Sequence, residues 1–205
     1  TSISSMYETA NPPHFLQMHE GDVAPDDLDD FNSSYDGIVH WQTIPMINVY
    51  GEAMRVSNET GKQFTLSDCR LDISLVRQND EYDVLLDGNR DRLEMQEGRI
   101  GVPVILLDQF DIEIGDTVTL NSKGMIKKFI VSDYVYDGQM NSTLCSSTRF
   151  LISDADFGAM SGKVGETEYL IEAWFADSGQ AADYQTAYEQ SDKNLSKNGQ
   201  AITYT

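Results

Sequence analysis

Apolar positions recur along this chain with two different periods. Leu28, Phe31 and Tyr35 are spaced by three and four, which predicts a helix with one buried face. Pro25 suits its first position, and Asp26, Asp27, Asp29 and Asp30 crowd the first turns, where the helix dipole favours anions; Gly37 marks the stop. Ala181, Tyr184, Tyr188, Ser191 and Leu195 step in the same way, predicting a long helix over 178–199 with Lys193 and Lys197 near its end and Gly199 as C-cap. Elsewhere the period is two. Strands are expected over 14–20, after the helix-blocking Pro12 and Pro13, over 37–51 with a break at Pro45, and over 62–78, where Phe64 and Leu66, then Leu71, Ile73 and Leu75, alternate. A turn or short helix is expected around Tyr82–Leu86, and "RIGVPVILLDQF" reads as a strand meeting a short helix. "FDIEIGDTVTL" reads as a hairpin signal turning at Gly115–Asp116, and the stretch after it as strands joined at Lys123–Gly124. Residues 149–160 suggest a strand running into a short helix capped by Asp154, 165–177 a strong strand, and "QAITYT" a last strand.

This order is β-α-β, a strand-rich middle, then β-α-β-α-β. It predicts an α+β chain of two lobes, an α/β lobe built from both chain ends with a β-rich lobe inserted between them. The expected boundaries are 12–45 plus 148–205 for the first lobe and 46–147 for the second, within one domain over 1–205.

Charge narrows the function classes. Asp and Glu number 34 against 14 Lys and Arg, a net charge of −20 over 205 residues. Such a surface repels phosphate, so no nucleic-acid partner is expected, and it repels anionic lipid head groups. No run of about 18 apolar residues offers a membrane span. The chain opens without Met and ends on a strand-like segment; it is expected to be a piece of a longer protein, although a mature secreted chain would look the same. Cys69 and Cys145 have no CxxC or zinc spacing, and are read either as a disulfide in an oxidising compartment or as two buried thiols.

No motif for catalysis emerges. His14, His19 and His40 lack a neighbouring nucleophile motif and read as solvent-facing or core-edge residues. Asp87, Asn89 and Asp91 alternate as in a calcium loop, but Gly88 comes too early and the closing Glu is missing, so a turn is expected. The acid run Asp26–Asp30 is read as a helix start before a metal site, and as a guess at a partner contact. Trp41 and Trp174 lie in strand patterns and read as core before ligand groove. Asn32, Asn58, Asn141 and Asn194 head glycosylation sequons that matter only in a eukaryotic secretory setting. No catalytic residue, cofactor or metal site is assigned.

The order of pieces carries more. "EGRIGVPVILLDQFDIEIGDTVTL", "KKFIVSDYVYDG" and "RFLISDADFGAM" together resemble the extracytoplasmic domain of FtsX-like and MacB-like ABC transporter permeases. The matching residues are Gly98-Arg99-Ile100, Gly115-Asp116 with Thr117-Val118-Thr119-Leu120, and Phe129-Ile130-Val131. "PPHFLQMHEGDVAPDDLDDF" is similar to that family's first strand and helix, and "TEYLIEAWFADSGQAADYQTAYEQSDKNL" to its closing strand and helix. Two departures stand out: Ser132-Asp133 where the family has a Gly after the FxV strand, and Pro103 where it tends toward helix.

The resemblance implies a non-catalytic domain on the extracytoplasmic face of a bacterial plasma membrane, binding or mechanically moving a substrate or partner. A separate cytoplasmic ATP-binding subunit would act through the membrane spans, and a second permease copy or an extracytoplasmic protein would be further partners. Gly98, Gly115 and Asp116 would be structural, and Tyr134 and Tyr136 are guesses at partner contact. A free secreted or surface-anchored acidic binding module is the alternative. A secreted hydrolase using two carboxylates is a third reading that no motif supports.

Overall fold

The computed structural model describes residues 10–20, 26–138, 147–191 and 201–203. In chain order its elements are β1 (Phe15–Glu20), α1 (Asp26–Ser33), β2 (Ile38–Val49), β3 (Met54–Ser57), β4 (Gln63–Thr65), β5 (Asp72–Val76), β6 (Arg99–Pro103), β7 (Thr117–Ser122), β8 (Met125–Val135), β9 (Ser147–Leu151), α2 (Asp154–Met160), β10 (Glu166–Phe175), α3 (Gln180–Gln190) and β11 (Ala201–Thr203). Short 3-10 turns cover Gly51–Ala53 and Val104–Asp108. The chain is α+β, as its pattern predicts. No helix among the described residues is long and apolar enough to cross a membrane.

The chain divides into two compact units, one of Pro13–Met46 with Thr167–Thr205 and one of Thr1–Pro12 with Ile47–Glu166. The lobe expected from the chain ends included 148–166, but these residues belong to the inserted unit. There β9 pairs in parallel with β5, Ser74 opposite Arg149, and α2 sends Phe157 and Met160 into that unit's core. The chain crosses between units inside β2, without a break at Pro45. The ladder from β2 to β5 begins only at Ile47, so no bond on that side needs the N–H that Pro45 lacks.

In the unit of chain ends the strand order is β11-β1-β10-β2. Strand β1 is antiparallel to both β10 and β11, with Phe15 opposite Ala173 on one side and Thr203 on the other. Alternation on β10 turns Ile171, Ala173 and Phe175 toward the helices. Leu28 from α1 and Ala181, Tyr184 and Tyr188 from α3 complete that core, the spacing by three and four having placed each on one face. Helix α3 is shorter than its pattern suggested: Ser191 is extended at ψ 162° and its hydroxyl donates to the Tyr188 carbonyl at 2.7 Å. Lys193, Leu195, Lys197 and Gly199 lie outside the described residues.

The inserted unit takes the end of β2 and continues β5-β9-β6-β8-β7-β3-β4. Its core holds Val56, Ile73, Leu75, Ile100, Val118, Phe129 and Val131. β5 is buried at four of its five positions because it lies between β2 and β9, whereas β8 alternates and keeps one face open. No helix forms at 82–86; Leu86 instead makes isolated bridges to Arg92 and Tyr136. The N-cap of α2 is Ser153, not Asp154, because the Ser153 hydroxyl accepts the Asp156 N–H at 3.0 Å.

Candidate functional site

Two glycine turns singled out in the sequence lie in the inserted unit, and each is tied to a buried aspartate. At the first, Gly115 has φ +95°, a left-handed conformation open to glycine at no steric cost. Its N–H donates to the Val131 carbonyl at 2.8 Å, and the Val131 N–H returns to the Asp116 carbonyl at 2.8 Å. The Asp116 carboxylate is buried and accepts the Glu113 N–H at 2.9 Å, which closes the turn.

Asp116 also meets Lys62, whose Nζ lies 2.6 Å from Asp116 Oδ2, 3.8 Å from Asp111 and 3.9 Å from Glu113. Burial works against the Lys62 ammonium. The hydrogen bond to Asp116 and the charges of Asp116, Asp111 and Glu113 outweigh it, and the lysine pKa rises above its ordinary value.

At the second turn Gly98 has φ +79° and its N–H donates to Asp156 Oδ2 at 2.8 Å. Lys127 Nζ lies 3.0 Å from the other Asp156 oxygen. Burial alone would raise the Asp156 pKa, but the Gly98 N–H, Lys127 and the Ser153 hydroxyl hold it below the ordinary carboxylate value. The Gly98 carbonyl accepts the Ile130 N–H at 2.9 Å, one residue from the Val131 that the Gly115 turn grips. The two turns therefore bind adjacent residues of β8.

Beside the first turn, residues 107–113 and Tyr134 line an open cleft of about 390 Å³. Tyr134 is half-buried and its hydroxyl donates to the Ile112 carbonyl at 2.9 Å. Tyr136 is half-buried on the same strand end, its ring against Gly88 and its N–H bonded to the Leu86 carbonyl at 2.8 Å. Gly98, Gly115 and Tyr134 thus cluster around β6–β8, whereas Tyr136 belongs to the neighbouring 82–93 segment.

That segment is anchored by a group that motif reasoning missed. Arg149 on β9 is buried and its guanidinium reaches Asp83 and Asp137 with four hydrogen bonds of 2.6–2.8 Å. Burial opposes the cation, and the two carboxylates more than offset it, driving the Arg149 pKa upward. Asp83 itself has φ +58°, and its N–H donates to the Asn11 carbonyl at 3.0 Å. The signal available in sequence was an arginine inside "STRFLI", a strand otherwise free of charge.

Other candidates fall into structural places. His14 Nδ1 accepts the Phe175 N–H at 2.9 Å, and burial lowers its pKa against the pull of Asp177. His40 packs on Trp174 at 5.4 Å between centroids and shares a hydrogen bond with Gln42. Trp174 is buried, and Trp41 is half-buried with its indole N–H donating to Asp29 at 2.9 Å. The Asp87 carboxylate accepts the N–H groups of Asn89 and Asp91, so that segment is a turn. Asn32 is buried against Tyr184, and Asn58 closes its own turn by accepting from Thr60 and Lys62. Cys69 is half-buried with its thiol toward the Leu71 carbonyl, and burial raises its pKa. The side chains of His19, Asp26 and Asp27, and residues Asn141, Cys145 and Asn194, lie outside what is described.

No family profile matches the chain, and no curated protein matches it. Among solved structures, the chain is similar to the periplasmic region of MacB from Actinobacillus actinomycetemcomitans, with 12% identity over 99% of this chain and 94% of that one and a TM-score of 0.47. It is also similar to a candidate lipoprotein from Bacillus anthracis, with 9% identity over 94% and 98% of the two chains and a TM-score of 0.47. A third likeness is to the extracellular domain of the noncanonic ABC-type transporter YknZ from Gram-positive bacteria, with 9% identity over 92% and 100% and a TM-score of 0.39.

Proposed function

We propose that this chain is an extracytoplasmic domain of an ABC transporter permease of the FtsX-like and MacB-like kind. It would bind, or transmit movement to, a substrate or partner outside the membrane, while a separate cytoplasmic ATP-binding subunit supplies energy through the membrane spans. The observation that carries this reading is the pairing of the first and last described strands. Phe15 on β1 stands opposite Thr203 on β11, and Gln17 opposite Ala201, in an antiparallel ladder. Antiparallel neighbours stand about 5 Å apart, so the start of β1 and the end of β11 lie side by side at one end of this sheet. Strand ends that meet in this way suit a domain looped out between two membrane spans. The ordered motif supports the reading too, since Gly98 and Gly115 both grip β8.

In this reading Gly98, Gly115 and Asp116 are structural and the chain does no chemistry of its own. Tyr134, beside the open cleft, and Tyr136 are the tyrosines we assign to partner contact. The test is to read the parent gene on both sides of residues 1 and 205. A hydrophobic span of about 20 residues shortly before the domain and a set of spans after it support the permease. A signal peptide alone, with no span after residue 205, would replace it with the secreted module.

A further inference from the structure

Strands β6, β8, β7 and β3 are neighbours in that order, and one of their faces is the core side bearing Ile100, Phe129, Val118 and Val56. The opposite face is laid out by the strand register. Arg55 on β3 stands opposite Thr119 on β7, and Thr119 opposite Lys128 on β8. In the next row Thr117 on β7 stands opposite Ile130 on β8, and Ile130 opposite Arg99 on β6. Ile126 is on the same side of β8, and it and Ile130 are 63% and 37% exposed.

This face has an unusual charge for its chain. Acids outnumber bases 34 to 14 overall, yet the outward positions of β3 and β7, and those of β6 and β8 up to the register shift after Ile100 and Val131, hold no Asp or Glu; the first acid on that side is Asp133, opposite Gly101 beyond the shift. Among the described residues Arg55, Arg99 and Lys128 are exposed and take part in no ion pair. Lys127, which points the other way, is by contrast held by Asp156. The chain thus neutralises a cation on the core side of β8 and leaves those on the open side bare.

We propose that this face docks an acidic polypeptide of a partner protein. Its carboxylates would meet Arg55, Arg99 and Lys128, and an apolar side chain would cover Ile126 and Ile130. Lys128 lies between Ile126 and Ile130 along β8, with Arg99 on β6 to one side and Arg55 on β3 to the other; arginine is enriched at protein interfaces and pairs a carboxylate with two parallel hydrogen bonds. An anionic lipid surface fits less well, because it is a broad sheet of charge that the net −20 of the whole chain opposes, whereas a polypeptide brings its acids only to the patch. The face would serve in the same way in a permease or in a free module.

The test titrates the full chain with a random copolymer of glutamate and tyrosine, following amide shifts by NMR and affinity by anisotropy. Shifts are expected to gather on β3, β7, β8 and Arg99, and affinity to fall as salt rises. The triple variant R55E/R99E/K128E should lose about tenfold or more in affinity. Its melting temperature and amide spectrum away from the patch should match the parent, and the control R70E/K163E, at exposed cations outside these strands, should bind as the parent does. Lys128→Gln alone should give a smaller loss in the same direction. Absence of binding, binding indifferent to the triple variant, or binding of phosphatidylglycerol–phosphatidylcholine vesicles at this face without binding of the copolymer would each overturn the proposal.

Discussion

Arg149 and Asp83 are 66 residues apart in sequence and meet through two parallel hydrogen bonds, Nη1 to Oδ2 at 2.6 Å and Nη2 to Oδ1 at 2.8 Å. Asp137 takes the remaining edge of the guanidinium, so one cation serves two buried carboxylates. Replacing Arg149 by Met strands both acids away from water. We expect a loss of about 3–5 kcal/mol in urea unfolding, because removal of one partner leaves an uncompensated buried charge. The combined variant R149M/D83N/D137N removes the charges together and should recover a good part of that loss. Equal instability of the single and combined variants would show that packing, not charge, sets the cost.

Gly115 separates a conformational cost from a steric one. A Cβ built there meets nothing within 4 Å, yet φ is +95°. Gly115→Val should therefore cost roughly 1–3 kcal/mol through backbone strain alone. Gly115→Asn should cost less, since asparagine tolerates the left-handed region better. Stability of the valine variant equal to that of the parent would reject the argument.

Asp156 gives a pH dependence with a definite sign. Burial would raise its folded pKa, but the Gly98 N–H, Lys127 and Ser153 hold it below the ordinary carboxylate value. A depressed carboxylate stabilises the fold above its unfolded pKa and loses that contribution as pH falls through the folded one. The stability gap between the parent and Asp156→Asn should thus be constant near neutrality. It should narrow as pH falls below the ordinary aspartate value and through the depressed folded one, where the carboxylate protonates. Denaturant midpoints measured at several pH values check this; a gap that widens toward acid would reverse the assignment.

Local pattern reached the parts of the fold that local physics decides. Leu28 and Phe31 fall on one side of α1 because helical spacing leaves no other arrangement, and Tyr35, two residues past the end of that helix, still packs against the same core. The Lys123–Gly124 turn joins β7 to β8 because both residues hold positive φ. Pro45 misled because its penalty depends on which side of the strand needs an N–H, which only the register with β5 reveals. Asp154 misled because Ser153 lies one residue earlier with its hydroxyl already at the Asp156 N–H. Arg149 was illegible for a different reason: its partners lie 66 and 12 residues away, and no spacing rule links charges at such distances. The open face of β8 was likewise invisible, because its cations become neighbours only through the pairing of β3, β7 and β6.

Tyr184 tests whether the aromatic core of the chain ends depends on shape or on one polar contact. Its ring touches Phe15, Phe31, Tyr35, Phe175 and Tyr188, with centroids 5.0–6.2 Å apart. Its hydroxyl donates to Asn32 Oδ1 at 2.5 Å, and burial is the main cause of a phenol pKa well above the ordinary value. Tyr184→Phe keeps the ring contacts and leaves the buried Asn32 amide short of a donor, at a cost of about 1–2 kcal/mol. Tyr184→Ala removes the ring as well and should cost about 3–5 kcal/mol. Thermal unfolding of both variants separates the contributions. A phenylalanine variant as damaging as the alanine one would place the stability in the hydroxyl and not in the packed rings.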